Sequence, residues 1–250
     1  MQERKLSSIW SIVSMNGFLP LRRQPLFLIN TLTSPFSFLF FLAIVGAVSN
    51  HDFIPYGVAG GMVLTVLSIG TSLQSDMTHY KADLKFQEMV VASPVRAGTY
   101  VTGMALSELV FSLPGMTVFT VLSLFYAHYV FLGGLVVVAS LVLVWIFASA
   151  LGFTLATYLA DVRETFMISP IISIFLTVVP PVYYPITALP RWLWPVAYLA
   201  PTTWAADLVQ GAMGIKPITL IEGVTDGLVL VFAAALLFVI AWKKAQWRET

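Results

Sequence analysis

Formal charge is missing from long intervals of this chain, and those intervals have the length of membrane crossings. Nothing is charged between Arg23 and Asp52, or between Asp52 and Asp76. A spanning helix needs roughly 20 mostly apolar residues, so these intervals predict spans near 26–49 and 55–75. The interval from Glu108 to Asp161 is also free of formal charge. It is far too long for one crossing at about 1.5 Å per residue. The turn is placed where Tyr126-Ala127-His128-Tyr129 precedes Gly133-Gly134, giving spans near 98–126 and 130–159. The interval from Glu164 to Arg191 predicts a fifth span near 166–186, and the last apolar run a sixth near 225–242. The chain therefore reads as one transmembrane domain over 1–250, an all-α integral membrane protein with six transmembrane helices.

Three segments break this pattern. Leu6, Ile9, Trp10 and Val13 recur at helical spacing, with Ser7, Ser8, Ser11 and Ser14 elsewhere on the wheel, before Gly17 and Pro20. This predicts an amphipathic interfacial helix over 5–19, which is compatible with packing on the protein. Six of the fourteen prolines fall within 180–201, among Tyr183, Tyr184, Trp192, Trp194 and Tyr198. Broken backbone at membrane depth is tolerated only where it is buried or lines water, and Trp and Tyr favour the interface. Residues 187–212 are read as a re-entrant helical hairpin in the outer leaflet, with a surface loop and aromatic belt as the alternative. The charged segment over 76–97 contains a short helix with Phe86, Met89 and Val90 on one face, ended by Ser93-Pro94. Such a helix suits docking to a cytoplasmic partner or rest on lipid headgroups.

Charge gives the chain a side. Eleven of the thirteen Lys and Arg residues fall in the N-terminal segment, the loops after spans two and four, and the C-terminal tail. Only Arg191 and Lys216 lie opposite. The positive-inside rule then puts both termini in the cytoplasm of a multi-pass cell-membrane protein. Composition agrees: 58% of the 250 residues are hydrophobic and 10% charged, too little polar surface to wet a soluble domain of this size. A net charge of +1 argues against a nucleic-acid partner. The chain has no cysteine, which removes disulfides, thiolate metal sites and thiol nucleophiles. No compact apolar stretch with a small-residue cleavage site follows Met1–Lys5, so no secretory signal is expected. No G-x-x-x-x-G-K-[ST], H-E-x-x-H or G-x-S-x-G occurs. His51 and His128 fall on the opposite side from His79 in this topology, so no metal site is expected.

Two motifs resemble a known family. Glu88-Met-Val-Val-Ala-Ser-Pro-Val-Arg-Ala-Gly98, with Gly103 soon after, is similar to the coupling segment of ABC-2 type exporter permeases. Pro180-Pro-Val-Tyr-Tyr-Pro185, then Leu189-Pro-Arg-Trp-Leu193 and Pro201, resembles the stretch before their final span. The likeness extends over nearly the whole chain. It implies a homodimer of this permease with two separate ATP-binding cassette ATPase subunits, with ATP and Mg bound in the partner and no cofactor in this chain. On that likeness Glu88, Ser93 and Pro94 are coupling residues, with Phe86 and Met89 beside them, and Asp161, Arg163 and Glu164 lie near the same partner. The absence of a phosphate-binding loop is consistent, since power then enters from a partner.

Glu108 is the one formally charged residue well inside a predicted span, Asp226 standing at the edge of the sixth. Intramembrane ionisable residues are costly and mark function by default. It is read as a structural carboxyl, protonated or hydrogen-bonded to a neighbouring Ser or Thr, with a proton or substrate site as the alternative. By likeness to family members whose first and fifth spans meet at the dimer axis, Phe36, Phe40, Phe41, Phe166, Phe175, Tyr183 and Tyr184 are candidates for the translocation path. The expected function is export of a lipid, glycolipid, polysaccharide or drug-like substrate. An ion-gradient-driven secondary transporter, which should carry several buried ionisable residues, is the alternative, and a membrane enzyme lacks its nucleophile or metal triad.

Overall fold

The computed structural model describes residues 2–23, 25–49, 52–82, 97–159 and 161–244. Helices and turns make up the described residues, with no strand among them. The N-terminal segment forms α1 (Gln2–Val13), a π-helical turn (Ser14–Phe18) and α2 (Leu19–Arg23), and leads into α3 (Pro25–Ser49). Then come α4 (Ile54–Ala82), α5 (Ala97–Tyr126), α6 (Gly133–Tyr158) and α7 (Val162–Thr177). Two 3-10 turns (Ile186–Ala188, Arg191–Leu193) precede α8 (Trp194–Ala197), α9 (Pro201–Ala212) and α10 (Leu220–Lys244).

Among the described residues, α4, α5, α6 and α10 are each long and apolar enough to cross a bilayer, which makes this a multi-pass membrane protein. α3 has 25 residues, about 37 Å at helical rise. α4 is the central helix. In its most apolar window 67% of residues are buried inside the protein, against 33% in α6 and 22% in α5 and α10. The last three turn most of their apolar surface outward, as lipid-facing helices do.

α4 can occupy the centre because its neighbours reach its backbone. A Cβ on Gly152 of α6 would lie 2.1 Å from the Gly70 carbonyl oxygen, and one on Gly70 would lie 2.5 Å from that of Ala148. Ala148-x-x-x-Gly152 is thus the small-residue stripe over which α4 and α6 cross. Near the other end, a Cβ on Gly60 would lie 2.5 Å from the Val182 carbonyl, so the chain after α7 lies directly on α4. Four α4 residues away from these crossings are polar and open or half-open: Thr65, Ser68, Thr71 and Ser72.

α9 is short yet buried: ten of its twelve residues are enclosed, packed against α4, α6, α7 and α10. Gln210 Nε2 donates to the Pro181 and Val182 carbonyls at 3.3 and 3.2 Å. Thr202 Oγ1 donates to Leu176 O at 2.6 Å. Beyond α9, Gly214 takes φ +69° beneath the His128 carbonyl, and the His128 N–H donates to Met213 O at 2.9 Å. A left-handed residue pressed on backbone leaves no room for a side chain.

Three boundaries differ from the sequence reading. The fifth predicted span, 166–186, ends as a helix at Thr177. Its 16 residues reach about 24 Å, and Pro180-Pro181 removes the N–H groups that would continue it. The second predicted span, 55–75, continues to Ala82, because the polar residues of its last two turns find partners on α5 and the N-terminal segment. The sixth, predicted from 225, begins at Leu220. There Glu222 Oε2 accepts the Thr219 N–H at 2.8 Å and Thr219 Oγ1 accepts the Glu222 N–H at 3.2 Å, a capping box. Of the predicted coupling residues, Phe86, Glu88, Met89, Ser93 and Pro94 lie outside the described residues.

Candidate functional site

The N-terminal helix is built onto the end of α4 and the start of α5. Gly103 lets Ile12 seat on the α5 backbone, since a Cβ there would come 2.9 Å from Ile12. Tyr80 Oη donates to Asn16 Oδ1 at 3.1 Å, joining the segment to the end of α4. Leu73, Met77, Tyr100, Met104 and Ala156 form the buried cluster beneath, with Ile12 and Tyr80 on its edge. The predicted face divides. Val13 is buried and Ile9 half-buried, while Leu6 and Trp10 stay 64% and 62% exposed. The Trp10 ring lies 5.9 Å from that of Phe18. One stripe of α1 holds the fold and another is presented outward, so a push on α1 reaches α4 and α5 directly.

The turn before α7 has a local structural task. Asp161 Oδ1 accepts the Glu164 N–H at 2.9 Å, capping the helix and placing acid at its positive end. Asp161, Arg163 and Glu164 are all exposed.

A groove of about 440 Å³ runs along α4, walled by Phe38 of α3, Glu108, Phe111, Ser112 and Phe119 of α5, and Ile172, Ser173, Leu176 and Thr177 of α7. Of the predicted path residues, only Tyr183 lines it. Phe36, Phe40, Phe41, Phe166 and Phe175 are exposed. Phe38 faces inward instead, its ring centroid 3.9 Å from that of Tyr183. Tyr184 Oη donates to Val178 O at 2.9 Å, pinning the broken segment after α7.

Glu108 is 5% exposed and shares a hydrogen bond with Asp76 of α4. The expected Ser or Thr partner is thus replaced by a second carboxyl, brought into register by the longer α4. Two carboxyl groups can share a hydrogen bond only when one keeps a proton. Two residues before Asp76, Gln74 is fully buried in the groove wall, and neither of its amide atoms has a hydrogen-bond partner. The Tyr183 hydroxyl is in the same condition. Sequence reasoning missed Asp76 and Gln74. The available signal was the polar run Thr65, Ser68, Thr71, Ser72 and Ser75 at helical spacing, which marks a polar face on an otherwise apolar helix. No group of three or more His, Asp or Glu side chains suited to a metal ion occurs among the described residues.

Compared with known proteins, residues 9–213 match a family model described as ABC-2 type transporter. None of the curated proteins compared matches the chain.

Proposed function

The chain belongs to the ABC-2 type transporter family, and from that premise we propose that it is the permease subunit of an ATP-driven exporter, acting as a homodimer with two separate ATP-binding cassette subunits. As a family member it is a transport permease component of an ABC transporter; the direction, partner and dimer are the proposal. The observation that carries it is the family match over 9–213, more than three-quarters of the chain. The sequence itself holds no phosphate-binding loop, so ATP and Mg would be held by the partner. Force would enter through 76–97, with Glu88, Ser93 and Pro94 at the contact, and through the exposed stripe of α1 at Leu6 and Trp10. Docked helices moving as rigid bodies would pass it to α4 and α5 through Tyr80–Asn16 and Ile12–Gly103.

In this reading α3 and the run from α7 through Tyr184 complete six crossings, α8 and α9 dip into the outer leaflet, and both termini are cytoplasmic. The cysteine-free sequence permits a direct check. Single cysteines at Phe131, 93% exposed between α5 and α6, and at exposed Lys243 should label from opposite faces of sealed vesicles. Labelling from one face would break the topology.

The test of the function is purification of the tagged chain from its native membrane in mild detergent. A stoichiometric ATPase partner is expected. In the reconstituted complex Glu88→Ala should lower transport per ATP about tenfold or more, equivalent to about 1.4 kcal/mol of lost coupling, with insertion intact. A chain that reproducibly purifies without an ATPase would point to gradient-driven transport, the reading that the Asp76–Glu108 pair favours.

A further inference from the structure

We propose that the groove along α4 binds an amphipathic organic cation: an amine or quaternary ammonium group carried on a drug-sized apolar body. This names a cargo class for the permease reading and rests on it only for what happens to the bound molecule. Binding itself needs nothing but this chain.

Size, walls and charge converge on that class. A volume of about 440 Å³ falls in the ordinary range of small-molecule sites. Phe38, Phe111, Phe119 and Tyr183 supply aromatic surface, which attracts cations through the ring faces. Among the described residues no Lys, Arg or His lines the groove, and Glu108 does. With Asp76 it forms a pair that holds one proton and one negative charge, so the groove lacks one positive charge. An anionic headgroup would meet that carboxylate with nothing to offset it. A neutral sugar would leave it uncompensated.

Gln74 gives the second, independent observation. Its amide is fully buried and aimed into the same groove, and neither Oε1 nor Nε2 has a partner. Buried polar groups are nearly always hydrogen-bonded, so an orphaned amide here marks the place of a ligand. Oε1 can accept from an ammonium N–H, while Nε2 and the unpartnered Tyr183 hydroxyl can donate to an acceptor on the body. The exposed hydroxyls of Ser68 and Ser72 stand at the open side, where a cation would shed its water stepwise.

The probe is ethidium, a permanent cation on an aromatic frame, whose fluorescence rises in apolar surroundings. The full chain in detergent micelles should bind it saturably, and unlabelled tetraphenylphosphonium should displace it. The anionic dye 8-anilinonaphthalene-1-sulfonate should not. The double variant Asp76→Asn, Glu108→Gln keeps shape and removes the pair's shared charge, and should weaken binding about tenfold or more. Gln74→Leu should weaken it about threefold or more. Thermal melts check that each variant is folded; if the double variant fails to fold, Gln74→Leu decides. Unchanged affinity in the folded variants, or displacement of ethidium by the anionic dye, overturns the proposal. Ethidium binding without any ATPase partner would remove the permease reading and leave this site standing. A partner with no ethidium binding would do the reverse.

Discussion

Gly152→Leu should cost at least about 3 kcal/mol of stability, and Gly152→Ala about 1–3 kcal/mol, the range for overfilling a packed site. The reason is local and rigid. A Cβ on Gly152 would sit 2.1 Å from the Gly70 carbonyl oxygen and 3.1 Å from its Cα. The obstruction is backbone, so no rotamer change relieves it, and either α4 or α6 must move. α4 has the largest buried share of the spanning helices, so its displacement unseats α5, α7 and α9 together. Gly134 lies on the same helix and a Cβ there would meet nothing within 4 Å. Gly134→Ala is therefore expected to be neutral or slightly stabilising, since alanine favours helix over glycine. Thermal denaturation of the detergent-solubilised protein, followed by loss of the monodisperse peak, separates the two. Equal melting temperatures for the two alanine variants would remove the backbone-crossing account of α4 and α6.

The long helices were legible because charge is so costly in hydrocarbon that its absence marks a span. α3, α5 and α6 begin and end within three residues of the predicted spans. The same logic misplaced α4, whose polar last two turns are stabilised by tertiary partners: Asp76 by Glu108 and Tyr80 by Asn16. A window of apolar residues cannot register a partner that lies far away in the chain. It also cannot separate helix from broken backbone when both are uncharged, so 178–186 was read into the fifth span although Pro180-Pro181 stood in it. The start of α10 could have been found. Thr219-Leu-Ile-Glu222 has the capping-box pattern, ahead of the predicted start at 225.

The site was half legible. Glu108 was found because a carboxyl inside an apolar run has few bland explanations. Asp76 lay one residue beyond the predicted span, and Gln74 carries no charge, so neither drew notice. The aromatic residues predicted for the path and those lining the groove lie on different sides of α3. Phe36 and Phe40 sit one turn apart on the exposed face, while Phe38, between them in sequence, points into the groove. A helix that is apolar all round has no moment to show which face turns inward; only packing decides it.

Lys216→Met should be the most damaging single change outside the spanning helices, costing about 3 kcal/mol at neutral pH. Asp207 of α9 is 6% exposed and its carboxylate is paired with the Lys216 ammonium. Burial pushes the Asp207 carboxyl above its ordinary range, and the hydrogen bond and charge of Lys216 pull it back. Glu222 and Asp226 lie within electrostatic reach of the same pair, so removing Lys216 leaves three acidic groups without their shared cation. The pH dependence follows from that. A carboxyl raised in the folded state is harder to ionise there than in the unfolded chain. Stability is therefore fully present below the unfolded value and falls as pH rises towards the folded one. Without Lys216 the folded value rises further, so the loss extends over a wider range and the variant should recover on acidification. The Asp207→Asn, Lys216→Met double variant should regain most of the stability at pH 7, because no buried charge then lacks a partner. A deficit equal at pH 5 and pH 8, or a double variant no better than the single one, would show that the ion pair is incidental. Because Gln210 ties α9 to the carbonyls after α7 and Gly214 ties it to the α5–α6 loop, an unsettled Asp207 would loosen the junction where three parts of the chain meet.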